Sequence, residues 1–187
     1  MATPRTDTRL TYDDYVRIPD DGMRHEIIDG VHYVMPSPVR RHQVLLGRLY
    51  VAIANYLDVH AGCGDVFLSP LDTVFTKWDV VEPDLLFVAA DQREILTDAN
   101  VQGPPALVVE ILSPSTRKRD LGIKRDLFDR GGVREYWIVD PEAREVVIHR
   151  RAASGSLEAG ERLRGDDLLK TPLLPGFALA MSKLLAE

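Results

Sequence analysis

The sequence predicts an α/β (α+β) fold in which a mixed β-sheet is flanked by helices and extended by β-hairpins. Strand-like and helix-like stretches are interspersed along the chain, and hairpin signals interrupt the regular βαβ alternation that a doubly wound sheet needs. With 187 residues, 45% of them hydrophobic, the chain has the size and composition of one globular domain, read as residues 1–187.

Residues 10–17 (LTYDDYVR) predict a short helix with Thr11 as its N-cap. RHEIIDGVHYVMPSP then reads as two strands around Asp29-Gly30, a dipeptide suited to a tight hairpin that needs positive φ. Residues 40–60 follow helical period, with apolar positions at Val44, Leu45, Leu49, Ile53 and Leu57. GDVFLSPLDTVF and VEPDLLFVA read as two strand-like runs parted by a polar turn at Lys77–Asp79, and residues 91–100 as a helix or loop. LVVEIL is apolar enough for a central strand. A helix over 117–130 follows and ends at Gly131-Gly132 in a left-handed cap. EYWIVDPEAREVVIHR reads as a second hairpin, GFALAM as a closing strand and SKLLAE as a terminal helix.

A net charge of -6 disfavours a protein that coats nucleic acid non-specifically, because such binding works by neutralising phosphates. Local basic runs remain: Arg40 and Arg41, and Arg117, Lys118, Arg119, Lys124 and Arg125. The N-terminal MATPRTDTR is polar, with no apolar signal region, and no run approaches the roughly 20 apolar residues of a membrane helix. The lone Cys63 excludes an intramolecular disulfide and fits a reducing compartment, so a cytoplasmic protein is expected.

Two strands carry acids where apolar residues would pack better: Asp84 in VEPDLLFVA and Glu110 in LVVEIL. Pro83 suits a strand start, which puts Asp84 near a strand end. Pairing with an arginine or capping a turn is the plain alternative for either acid. In the helix after Glu110, at roughly 100° per residue, Leu121, Ile123, Leu127 and Phe128 define the apolar arc. Lys124 falls close to the middle of that arc, Asp120 lies beside it, and Lys118, Arg125, Asp126 and Asp129 face solvent. A lysine on a buried face needs a partner; Glu110 on the preceding strand and Asp120 one turn earlier are the two candidates. Two carboxylates from adjacent strands with a buried lysine predict a divalent-metal site with a positively charged assistant, since Mg²⁺ is usually held by one or two carboxylates plus waters and phosphate.

Pro83-Asp84 with the later Glu110 resembles the signature of the PD-(D/E)XK nuclease superfamily. HEIIDG, VEPDLLFV, LVVEILSPSTRKRD, IKRDLF and GGVREYWIVDP more closely resemble the Uma-two family of restriction-endonuclease-like proteins, over roughly residues 10–180. The resemblance implies a restriction-endonuclease-like core and a Mg²⁺- or Mn²⁺-dependent site cleaving phosphodiester bonds, with DNA as the expected substrate. It implies Asp84, Glu110 and the Ile111 carbonyl as metal ligands and Lys124 as the assisting lysine, because Leu112 occupies the superfamily's lysine position. Glu26 matches the acid of the family's E-x-x-D-G hairpin and joins the expected site. His42 matches a histidine at the start of the long helix, as a site residue or a capping one. Phe128 stands where the family often has tyrosine.

Arg40, Arg41, Arg117 and Arg119 are candidates for phosphate contacts, grouped with His42, although solvated surface explains them as well. A homodimer is expected, since two sites related by a twofold axis cut both strands of a duplex most simply. The five histidines show no zinc-type spacing, and no G-x-S-x-G turn supports Ser113 or Ser115 as a nucleophile. Tyr136 and Trp137 read as core. Two other readings stay open: a non-enzymatic module that retains the nuclease fold and binds nucleic acid or a partner, and a metal-dependent hydrolase of another phosphate ester.

Overall fold

The computed structural model describes residues 9–186; most of the polar N-terminal stretch lies outside the described residues. Thr11 closes a capping box with Asp14 at the start of α1 (Tyr12–Tyr15). Strands β1 (Arg24–Ile28) and β2 (Val31–Met35) form the expected hairpin, with φ of 53° at Asp29 and 77° at Gly30. Helix α2 (Arg40–Val59) buries Leu45, Leu49 and Ile53, which keep its helical period on one face.

The run GDVFLSPLDTVF is not one strand. It divides into β3 (Gly64–Leu68) and β4 (Thr73–Thr76), which belong to different sheets. Pro70 lies in the break, where its missing N–H and fixed ring end the ladder. VEPDLLFVA divides likewise: Val81 ends β5 (Asp79–Val81), and Leu85 begins β6 (Leu85–Ala89). The segment Glu82-Pro83-Asp84 therefore crosses from one sheet to the other. A 3-10 turn at Ala90–Ile95 and β7 (Val101–Gln102) lead into β8 (Leu107–Ile111).

The helix predicted over 117–130 runs as α3 (Arg117–Arg119), a π turn at Asp120–Lys124 and α4 (Arg125–Gly131). Gly132 caps it at φ 95°, in the left-handed region. The second hairpin is β9 (Glu135–Asp140) and β10 (Glu145–Arg150). The C-terminal part adds β11 (Glu161–Arg164), β12 (Leu168–Leu169), β13 (Leu179–Ala180) and α5 (Met181–Leu184).

Besides a separate β12–β13 pair there are two larger sheets, one with the order β2-β1-β5-β4-β7 and the other β11-β10-β9-β8-β6-β3. Both are mixed: β8 and β9 run parallel, as do β4 and β7, and the remaining neighbours run antiparallel. Strand β8 is buried throughout, as its apolar composition predicts for a central strand. Its period of two sends Leu107, Val109 and Ile111 into the core that packs on α2. Val108 and Leu112 pack instead with Leu127 and Phe128 of the following helix, and Glu110 shares that face by the same alternation. Tyr136 and Trp137 are fully buried, as expected. No helix among the described residues is long and apolar enough to cross a membrane.

Candidate active site

The strand register brings the two unexpected acids together. Leu85 pairs with Val109 in the antiparallel β6–β8 ladder, and continuing that ladder by one position sets Asp84 opposite Glu110. The Ile111 backbone N–H donates to Asp84 Oδ2 at 2.8 Å and ties the crossover segment to the end of β8. His42, in the first turn of α2, donates through Nε2 to the same oxygen at 2.9 Å. Burial acts to raise the Asp84 carboxyl, but the His42 bond and charge, the Ile111 N–H and Lys124 outweigh it, so Asp84 lies below the ordinary carboxylate range.

Lys124 is fully buried, and its ammonium lies 2.5 Å from Glu110 Oε1 and 2.9 Å from Glu26 Oε1. Its ion pairs thus reach across to β8 and β1 rather than back along the helix to Asp120. Burial lowers the lysine, but Glu110, Glu26 and Asp120 more than offset this and hold it above its ordinary value. An ammonium so placed stays charged at any physiological pH and cannot serve as a general base. Burial pushes the Glu110 carboxyl well up, opposed by Lys124 and reinforced by Asp84, Asp120 and Glu26.

Two participants, Glu82 and Arg24, carried no assigned role in the sequence, and a third, Asp120, was expected only as a partner of Lys124. Glu82, on the crossover, is buried, and its backbone N–H donates to Glu26 Oε1 at 3.1 Å. Arg24 on β1 reaches within 4.0 Å of Glu82 and 3.9 Å of Asp84. Asp120 is buried in the π turn, where burial raises its carboxyl against the pull of Lys124 and a Thr116 hydrogen bond. Asp120 and Lys124 point inward as the helix phase predicts, but the π turn sends Leu121, predicted on the apolar arc, outward to 43% exposure.

Asp84, Glu110, Ile111, Asp120 and Lys124 line a cleft of about 260 Å³, with Arg24, Glu82 and His42 also in its wall. The predicted phosphate-contacting arginines do not gather at its mouth. Arg119 turns inward, its guanidinium 4.7 Å over the Tyr33 ring and 4.0 Å from Glu26. Arg117 pairs with Asp140 at 2.6 Å along a neighbouring groove. Arg40 and Arg41 line a separate hollow beside Ala186. Of that group, only His42 stands in the cleft.

Glu26, Glu82, Asp84, Glu110 and Asp120 are all buried, against one buried ammonium and the part-exposed Arg24 and Arg119. Glu26 Oε2, Glu82 Oε2 and Asp120 Oδ1 have no hydrogen-bond partner. Such a surplus of buried carboxylate calls for protons or a further cation. Among the described residues, no group of three or more His, Cys, Asp or Glu side chains is arranged as a ready metal cage. The smaller donor set expected here, two carboxylates and a main-chain carbonyl, fits a hard cation that keeps part of its water.

The profile of the family described as "Putative restriction endonuclease", Uma2, matches residues 12–182. The chain belongs to the Uma2 family. An uncharacterised protein of Synechocystis sp. is 28% identical to this Uma2 chain over 149 residues, covering 75% of each. The crystal structure of a protein from Anabaena variabilis, described as a "putative nuclease belonging to DUF820", superposes with a TM-score of 0.80 at 18% identity. That match covers 95% of this chain and 98% of the other, and it establishes a shared fold. The restriction-endonuclease-like fold expected from the sequence is therefore present.

Proposed function

We propose that this Uma2 chain is a metal-dependent endonuclease that hydrolyses phosphodiester bonds of DNA in the cleft between β6, β8 and the π turn. The observation that carries the reading is the buried Lys124 ammonium, 2.5 Å from Glu110 at the foot of a cleft that Asp84 also lines. Asp84 and Glu110, with the Ile111 carbonyl, would hold Mg²⁺ or Mn²⁺. The bound ion supplies Lewis-acid polarisation of a phosphoryl oxygen and a lowered pKa for water.

The chain's own groups do the rest. His42 and the Ile111 N–H hold Asp84 in its ionised form. Lys124, kept charged by Glu26 and Glu110, offers fixed positive charge where the transition state gathers negative charge on the phosphate. This supports the reading that the family's lysine function has moved from position 112 to the following helix. Two copies related by a twofold axis would cut both strands, and a reducing cytoplasmic setting suits a chain whose one cysteine is Cys63.

Plasmid DNA incubated with purified protein and Mg²⁺ or Mn²⁺ tests the proposal. Cleavage is expected, with loss in Asp84→Ala and Lys124→Ala; cleavage that persists unchanged in both variants would sink the assigned site. One observation favours the second reading, a binding module without catalysis: Lys124 is enclosed and already engaged by two carboxylates. Calorimetry that detects no Mn²⁺ binding would favour that module.

A further inference from the structure

The helix that carries Lys124 presents a second stripe, Arg117, Leu121 and Arg125, to a separate groove of about 270 Å³ over β9, β10 and β11. Its apolar part is Leu112, Ile138 and Val147. The two hollows share a wall: residues 113–116 line the cleft, while Leu112 and Arg117 on either side of them line the groove.

The groove is rich in cations whose countercharges are already engaged. Asp140 is buried; its Oδ1 accepts the N–H groups of Glu142 and Ala143 at 3.0 and 2.9 Å, and its Oδ2 accepts from Arg117. Glu145, also buried, accepts from Arg162 through Oε1 and from Arg164 through Oε2. These carboxylates aim the guanidinium groups and have little capacity left to repel an anion. Arg162 keeps 60% of its side chain exposed, Arg117 44% and Arg125 29%, and Arg125 spends one N–H on the Leu157 carbonyl at 3.4 Å, so all three retain N–H groups for a ligand.

His149 adds a directional group at the other end. Its Nδ1 donates to the Glu158 carbonyl at 2.8 Å, which leaves Nε2 to accept from a ligand. Burial, with Arg125 and Arg162 nearby, lowers its pKa below the ordinary histidine value against the pull of the Glu158 carbonyl, which favours the neutral ring. Gly160 lines the same end; a Cβ there would collide with Val147 and His149.

Arginines for a phosphate, an apolar floor and a neutral acceptor for an N–H or O–H group match the parts of a nucleotide. We propose that this groove binds one nucleotide unit, its phosphate on Arg125 and Arg162 and its sugar and base over Leu112, Ile138 and Val147. For a unit borne on the substrate strand, the proposal rests on the nuclease reading above.

Fluorescence anisotropy of a labelled oligonucleotide with the full chain, in EDTA so that no cleavage occurs, tests it across a salt series. The double variant Arg125→Ala/Arg162→Ala is expected to bind about tenfold more weakly, with a log K against log salt slope shallower by about one. Arg125→Ala alone, which breaks no buried ion pair, carries the test if the double variant does not fold. Titration with a 5′-mononucleotide separates the two sources. Binding that the arginine variants abolish, alongside unchanged oligonucleotide affinity, supports a site for free nucleotides. Variants that match the parent with both probes, or a parent that binds neither, overturn the proposal. Metal-dependent cleavage is a separate readout, so a chain that fails to cut yet shows the predicted binding loss refutes only the catalytic reading.

Discussion

Lys124 and Glu110 meet with the ammonium 2.5 Å from Oε1, one side chain reaching from a π turn and the other standing on the central strand. Both are buried, and Glu26 approaches the same ammonium from the other sheet at 2.9 Å. This contact joins the two sheets through the helix, so it bears on folding as well as on chemistry.

Removal of the ammonium leaves Glu110 and Glu26 buried without their main countercharge. Lys124→Ala is expected to lose about 3–5 kcal/mol of stability. Glu110→Gln in the same chain should recover part of that loss without restoring cleavage. Urea denaturation of the single and double variants gives the order; a double variant no more stable than the single one contradicts it.

His42 holds Asp84 at 2.9 Å from within the cleft wall. His42→Ala should leave the fold intact but weaken apparent Mn²⁺ affinity or activity by about 10–100-fold, the usual effect of losing a group that orients a metal ligand. The check is the metal-concentration dependence of cleavage, and an unchanged midpoint with unchanged rate would argue against this role.

The Asp140 carboxyl lies below its ordinary value of 3.8: burial raises it, but the Ala143 N–H, Arg117 and the Glu142 N–H prevail. Because the folded state depresses this pKa, the carboxylate contributes its stability above about pH 3.8, and that contribution fades as pH falls through the folded value. Asp140→Asn should therefore be less stable than the parent by about 1–3 kcal/mol at pH 7. The gap should narrow steadily below pH 3.8, as measured by denaturation at several pH values.

Tyr136 donates its hydroxyl to the Asp120 carbonyl at 3.0 Å in the buried wall behind the π turn. Tyr136→Phe is expected to cost about 0.5–1.5 kcal/mol and to speed amide exchange in the π turn. Exchange that is unchanged at Asp120–Lys124 would show that the turn is held by other contacts.

The core of this site was legible because its residues break the patterns around them. Glu110 interrupts an apolar strand and Lys124 interrupts an apolar helix stripe, and a helix directly after a strand packs back onto that strand's face. Leu121 was harder to place, since the π turn alters the rotation per residue and sends it outward, while Asp120 stays on the buried face beside Lys124. Arg24 and Glu82 gave no local signal: each gains its place only through the crossing of the two sheets. Arg117 and Arg119 read as one basic run, yet two positions on a helix differ by about 200°, so one faces the groove and the other Glu26.

The central claim is that Asp84 and Glu110 form one cation site served by Lys124. A crystal soaked with Mn²⁺ tests it most directly through anomalous scattering. The account predicts a manganese peak bounded by the carboxylates of Asp84 and Glu110 and the Ile111 carbonyl, with the Lys124 ammonium alongside. A saturating soak with no peak there, while Glu110 remains closed on Lys124 and Asp84 on His42, would contradict it.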